Sequence, residues 1–154
     1  MKKTILPLLL LALSGYFVTV SAVAIPTPGW YNLQWPHNGT ITVGGDFTVY
    51  AQVWMDGVTN SPGQGAGMEA WIGYSTENTD PSTWTNWITA TYNANNTDVG
   101  NNDEFMANIG SGLTAGTYYY ASRFSYSSST YVYGGIGGPW NSSTNTSGVL
   151  TVNA

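Results

Sequence analysis

Phe47-Thr48-Val49-Tyr50-Ala51-Gln52-Val53-Trp54-Met55 puts Phe47, Val49, Ala51, Val53 and Met55 on one face and Thr48, Tyr50, Gln52 and Trp54 on the other. Successive side chains of a strand point to opposite faces, so this is a half-buried strand with its aliphatic face on a core. The same period of two recurs on either side, punctuated by Gly, Pro and Asn. Upstream, Tyr31, Leu33 and Trp35 alternate with Asn32 and Gln34 until Pro36-His37-Asn38-Gly39 ends the run, and a short strand Thr40–Val43 meets Gly44-Gly45. Downstream, strands are predicted at Met68–Tyr74, Trp87–Tyr92, Glu104–Ile109, Tyr118–Tyr126, Tyr131–Tyr133 and Gly148–Val152, with loops at Asp56–Gly67 and Asn93–Asp103. Helical spacing is not sustained over three turns anywhere after the first two dozen residues.

Leu113-Thr114-Ala115-Gly116-Thr117-Tyr118 leads into the longest aromatic strand, and a Leu and Gly before a strand-opening Tyr is the pattern of a tyrosine corner, with Tyr118 as the corner residue. About seven to nine short strands separated by turns, with that corner, predict an all-β fold, an immunoglobulin-like antiparallel β-sandwich. There is no internal repeat of solenoid or propeller length.

Met1-Lys2-Lys3-Thr4 and the apolar run from Ile5 to about Val20, followed by Ala22-Val23-Ala24, read as a secretory signal peptide over residues 1–24 that is removed after Ala24. Residues 25–154 then form a single domain with an extended arm, 25–29, at its start, and no membrane insertion remains after cleavage. Both lysines lie in the leader. The remaining chain sets Arg123 against eight carboxylates, 1 − 8 = −7, which leaves too few cations to neutralise phosphates and excludes a nucleic-acid partner. There is no cysteine, so stability comes from the core and the ladders. Low charge with abundant Gly, Ser, Thr, Asn, Tyr and Trp predicts a secreted protein, extracellular or at the cell surface.

Asn32-Leu33-Gln34-Trp35-Pro36, Val49-Tyr50-Ala51-Gln52-Val53, Trp71-Ile72-Gly73-Tyr74-Ser75, Asp80-Pro81-Ser82-Thr83-Trp84, Val99-Gly100-Asn101-Asn102-Asp103-Glu104-Phe105 and Gly116-Thr117-Tyr118-Tyr119-Tyr120 with Arg123-Phe124 follow one another in an order with a known counterpart. Together they resemble an immunoglobulin-like accessory module of secreted bacterial hydrolases, where it sits beside an amylase or nuclease catalytic domain. The resemblance implies an accessory role in glycan or surface contact. Here the module is expected to stand alone, since no catalytic domain follows within the 154 residues.

Catalysis is not expected. His37 is the single imidazole and there is no thiol, so neither a nucleophilic triad nor a His/Cys metal site can be assembled in the usual way. The acids Asp56, Glu69, Glu77 and Asp80 are read as solvated charges and not as a hydrolytic pair. No cofactor is implied. Calcium is the one metal for which the chain offers ligands: Asp98, Asn101, Asp103 and Glu104, with Asn102, gather hard oxygens around Gly100, although the same residue types serve as ordinary turn formers.

The aromatics carry the functional prediction. Tyr50, Trp54, Trp71, Trp84 and Trp140 are predicted to form an exposed ligand-binding face, while about half of the tryptophans, Trp35 and Trp87 first among them, belong to the core. Sugar rings stack their C–H faces on aromatic planes, so the favoured function is a secreted non-catalytic module whose partner is a polysaccharide or other glycan. The alternative, drawn from the same aromatics and the 25–29 arm, is a self-assembling subunit of an extracellular filament or surface layer, whose partners are copies of itself.

Overall fold

The computed structural model describes residues 24–96 and 100–154; all of the 1–24 leader except Ala24, and Asp98, lie outside the described residues. Eleven strands follow in chain order: β1 Trp30–Trp35, β2 Asn38–Thr42, β3 Thr48–Trp54, β4 Met68–Ser75, β5 Asn86–Thr89, β6 Thr91–Tyr92, β7 Asp103–Asn108, β8 Gly116–Tyr126, β9 Val132–Gly135, β10 Gly138–Pro139 and β11 Gly148–Asn153. The one helical turn among the described residues is a 3-10 turn at Pro81–Thr83, opened by Asp80, whose carboxylate accepts from the Ser82 amide.

The strands form two sheets. One runs β1-β3-β7-β6. The second is organised around β8: β4 lies along one edge with β5 beyond it, while the opposite edge is shared, Gly116–Tyr120 pairing with β11 and Ser122–Phe124 with β9. β2 flanks β11, and β10 flanks β9. The fold is an all-β sandwich with two departures from the sequence reading. The expected strand Trp87–Tyr92 is two strands, because the chain crosses between sheets at buried Ala90: β5 pairs with β4 and β6 pairs with β7. The ladder is also not wholly antiparallel. The Trp35–His37 corner, with a cis Trp35–Pro36 bond, carries β2 out of the sheet of β1 and lays it parallel to β11.

Leu33, Val49, Ala51, Val53, Phe105 and Ala107 from the first sheet meet Met68, Ala70, Ile72, Tyr120, Phe124, Leu150 and Val152 from the second, and all are buried. This is the interdigitated layer expected between aligned sheets. Polar ties cross it. The Tyr120 hydroxyl, fully buried, donates to the Pro36 carbonyl at 2.7 Å, and Ser122 Oγ donates to the Asn32 carbonyl at 2.9 Å. Tyr118 donates to the Thr114 carbonyl four residues upstream at 3.1 Å, the bond that makes a tyrosine corner. Tyr120 also lies flat against Gly148, where any Cβ would overlap its ring.

Removing the phenol oxygen should therefore cost more than its size suggests. Tyr120→Phe strands the Pro36 carbonyl in the interior and is expected to lower stability by about 1–3 kcal/mol, and Gly148→Ala to lower it at least as much by overpacking. Urea denaturation of both variants checks this; a Tyr120→Phe protein that unfolds with the parent would show that the inter-sheet bond contributes nothing.

Candidate functional site

Alternation on β4, β8 and β9 assigns the outer face of the second sheet. Ala70, Ile72, Ser122 and Phe124 point inward, so Trp71 and Arg123, which pair across β4 and β8, point outward, and Tyr133 pairs with Arg123 from β9. On β5, Ile88 faces the core opposite Ile72, which turns Trp87 outward over Gly73. A Cβ at Gly73 would sit 2.6 Å from that indole, so only glycine allows the ring to lie flat on the sheet.

Arg123 is the hub of this face. Its guanidinium carbon stands 4.1 Å from the Tyr131 ring centroid, 4.3 Å from Trp87 and 4.8 Å from Trp71. Its Nε is buried with no hydrogen-bond acceptor. Ring faces fill that place, because the negative face of an aromatic ring attracts a cation and can receive an N–H. Burial lowers the arginine pKa, and the neighbouring Tyr131 and Tyr133 oppose that shift; arginine remains charged. Trp84 backs the cluster, 6.2 Å from Trp87, and Trp87 Nε1 donates to the Trp84 carbonyl at 3.1 Å. Trp87 in turn lies 5.8 Å from Tyr133.

Three hollows run in file over these rings. The first, about 620 Å³, lies among Glu69, Trp71, Ser125, Ser128–Thr130 and Tyr131. Tyr131 also borders the second, with Asp80, Ser82, Tyr133 and Trp140, and Asp80 and Trp140 border the third, with Asn78, Thr79, Ser142 and Thr146. The shared residues set the three hollows side by side, as segments of one groove. Its lining combines aromatic rings with hydroxyls, amides and two carboxylates.

The five aromatics predicted as one ligand face are divided by the fold. Trp71 and Trp140 belong to this groove. Tyr50 and Trp54 lie on the outer face of the other sheet, where Trp54 packs against Gly29. Trp84 is 8% exposed and its indole donates to Thr79 Oγ1 at 3.1 Å, so it supports Trp87 and cannot be a contact platform. The two tryptophans assigned to the core are also corrected. Trp35 is 61% exposed, because an irregular step between Leu33 and Trp35 sets it opposite outward-facing Tyr50. Trp87 is half-buried on the outer face. Arg123, Tyr131 and Tyr133 were absent from the predicted site; inward Tyr118 fixes the parity of β8, and that parity already turns Arg123 outward.

The calcium candidates are not gathered on one side of their strand. Asp103 and Glu104 are consecutive on β7 and face opposite ways. Asp103, 1% exposed, accepts from the Gly65 amide at 2.7 Å. Glu104 accepts from Gln52 at 2.9 Å and from Asn93 and Asn96 at 2.8 Å each, tying the Asn-rich loop to β3. Asn102 donates to Gln52 Oε1 at 3.2 Å, and the Asn101 carbonyl accepts from Thr59.

No protein-family model matches the chain. It is similar to an amylopullulanase of Thermoanaerobacter thermohydrosulfuricus, 33% identical over 115 residues, covering 63% of this chain and 8% of that protein. An amylopullulanase of Thermoanaerobacterium saccharolyticum is 38% identical over 78 residues, covering 40% of this chain and 6% of that protein. The chain thus spans less than a tenth of these relatives. Among solved structures, a cycloalternan-forming enzyme from Listeria monocytogenes in complex with pentasaccharide substrate has a TM-score of 0.44 at 18% identity, covering 73% of this chain and 8% of that one.

Two outcomes follow from the electrostatics. Arg123→Met is expected to lower stability by about 1–2 kcal/mol, with Arg123→Lys recovering only part of it because an ammonium lacks the planar stack; melting curves indistinguishable from the parent for both would remove the hub. For Asp103, burial raises the pKa while the Gly65 amide opposes. A carboxyl with a raised folded pKa binds its proton more tightly in the native state, so its contribution is full below the ordinary carboxylate value and declines as pH rises through the folded one. Asp103→Asn should flatten that decline and melt higher than the parent at neutral pH; a lower melting temperature there would contradict it.

Proposed function

We propose that the chain is a non-catalytic, extracellular binding module that holds a glycan chain along the groove over Trp71, Tyr131, Tyr133 and Trp140. The observation that carries this is the succession of three adjacent hollows that share Tyr131, Asp80 and Trp140. A polymer needs such a track, and a small metabolite does not. Covering about 100 Å² of one ring by a sugar's C–H face provides on the order of 2.5 kcal/mol before ordering costs, and several such contacts suffice for useful affinity. Ser128, Ser129, Thr130, Asn78 and Ser142 supply partners for sugar hydroxyls.

The relatives support the same reading. Their name, amylopullulanase, denotes enzymes acting on glucans, and this chain matches only a small share of their length. An accessory role agrees with the acids of the groove, since Glu69 borders the first hollow and Asp80 the second and third, with Tyr131 between. The leader-like composition of residues 1–24 supports an extracellular location. Among the described residues no helix is long and apolar enough to cross a membrane. Self-assembly through the 25–29 arm has less to work with: Pro28 is buried and the Gly29 amide donates to the Trp54 carbonyl at 3.0 Å, so the part of the arm not tied to the sheet is Ile25–Thr27.

Native affinity electrophoresis in gels containing different polysaccharides tests the proposal. At least one glucan should retard the protein, Trp71→Ala and Tyr131→Ala should each weaken retardation by about tenfold or more, and Trp35→Ala on the opposite sheet should leave it unchanged. Retardation lost in Trp35→Ala but kept in Trp71→Ala would move the site to the other face, and no retardation by any polysaccharide would overturn the binding role.

A further inference from the structure

Resting on the glycan reading, we infer that the groove selects a chain that coils, of the α-linked glucan type, over flat β-linked chains and crystalline surfaces. The ground is the mutual orientation of the rings. Trp71 and Tyr131, which flank the first hollow, meet at 82° with centroids 5.4 Å apart. Deeper in the cluster, Trp87 and Tyr133 are inclined at 54°. Platforms that grip a crystalline polymer face must be coplanar, because the surface they meet is flat. Rings set at right angles cannot rest on it together. They can hold a chain that presents successive sugar rings at different inclinations.

The course of the groove adds a second constraint. It passes from Trp71 on β4 across β8 to Tyr133 on β9, and thus crosses the strands rather than following one of them. Neighbouring strands are rotated by about 20–25° in a constant sense, so a path across two strand spacings, about 10 Å, turns steadily. A β-1,4-linked glucan extends as a ribbon whose alternate rings are flipped, with little tendency to turn. An α-1,4-linked glucan turns in one sense at every linkage. Its inner, less polar side can meet successive rings while its outward hydroxyls reach the Ser and Asn side chains of the walls. Trp140 borders the second and third hollows, so a chain seated on Trp71 reaches it only after passing Tyr131. Its contribution should therefore depend on chain length.

Calorimetric titration of the whole chain with maltooligosaccharides and cellooligosaccharides of equal length, with a pull-down on microcrystalline cellulose, tests this. The α-linked series should bind at least about tenfold more tightly and gain affinity with length, with no depletion by cellulose. Trp140→Ala should weaken long chains more than short ones and so flatten the gain with length, whereas Trp71→Ala should weaken both alike. Equal or tighter binding of the β-linked series, or adsorption to cellulose, would overturn the selectivity and leave the glycan role standing. Binding to neither series, with retardation by some other polysaccharide, would do the same. Failure with every polysaccharide would overturn both.

Discussion

The pleat of β8, Gly116–Tyr126, is the constraint on which the rest of the structure depends. A strand can send only alternate side chains to each side. Tyr118, Tyr120, Ser122 and Phe124 go inward, where they close the corner, tie the two sheets and fill the core. Arg123 goes outward between them and organises the aromatic face. With β4 along one edge and β11 and β9 sharing the other, this strand has no free edge over most of its length. A slip of one residue would exchange the two sets, burying a guanidinium and exposing the tyrosine that holds Pro36. Core stability and site geometry are consequently enforced by the same register.

The outer face is unusual in using its cation as a packing element. In a chain whose other charges beyond the leader are all carboxylates, Arg123 pairs with none of them among the described residues and is instead enclosed by Trp71, Trp87 and Tyr131. A carboxylate partner would have fixed the guanidinium through one edge. Three ring faces fix it from several sides and are fixed by it in return. Rings that would otherwise rotate on a solvent-facing sheet gain a preferred pose, which reduces the ordering cost of any ligand that stacks on them.

Much of this was legible in the sequence where one face of a strand is uniformly aliphatic. Phe47–Met55 could be read in only one way, and inward Val49, Ala51 and Val53 agree with it. Leu113 to Tyr118 likewise named its corner. The failures have local causes. Trp35 continues the parity of Tyr31 and Leu33 on paper, but an irregular step after Leu33 reverses it, and a bulge leaves no mark in apolar periodicity. Trp87 and Ile88 are adjacent large apolar residues, and which of them faces inward was decided by a partner strand: Gly73 opposite Trp87 leaves room for an indole, while Ile72 opposite Ile88 continues the core. Trp84, predicted on the exposed face, follows the Asp80-capped turn, which folds it against its neighbour Trp87. The parallel pairing of β2 with β11 and the two-residue β10 depend on contacts distant in sequence, for which no local signal exists.

The division between strands and loops at the groove also bears on how such a surface can change its ligand. Trp71, Arg123 and Tyr133 stand on paired strands over a dry core, so their spacing is set by the sheet. The walls come from two turns that are organised by their own side chains. In one, the Asn141 side-chain oxygen accepts from the amides of Ser143 at 3.0 Å, Thr144 at 2.8 Å and Asn145 at 3.3 Å. In the other, Ser127 and Ser128 take positive φ angles and Ser129 Oγ accepts from the Tyr126 amide at 3.1 Å. Such turns are preformed, so they can present hydroxyls to a ligand without first being ordered. They also make few core contacts, so substitutions there change the polar rim without disturbing the rings or the sheet. An aromatic surface set by the sheet, with polar walls that can vary independently, lets the rim change while the ring geometry is kept.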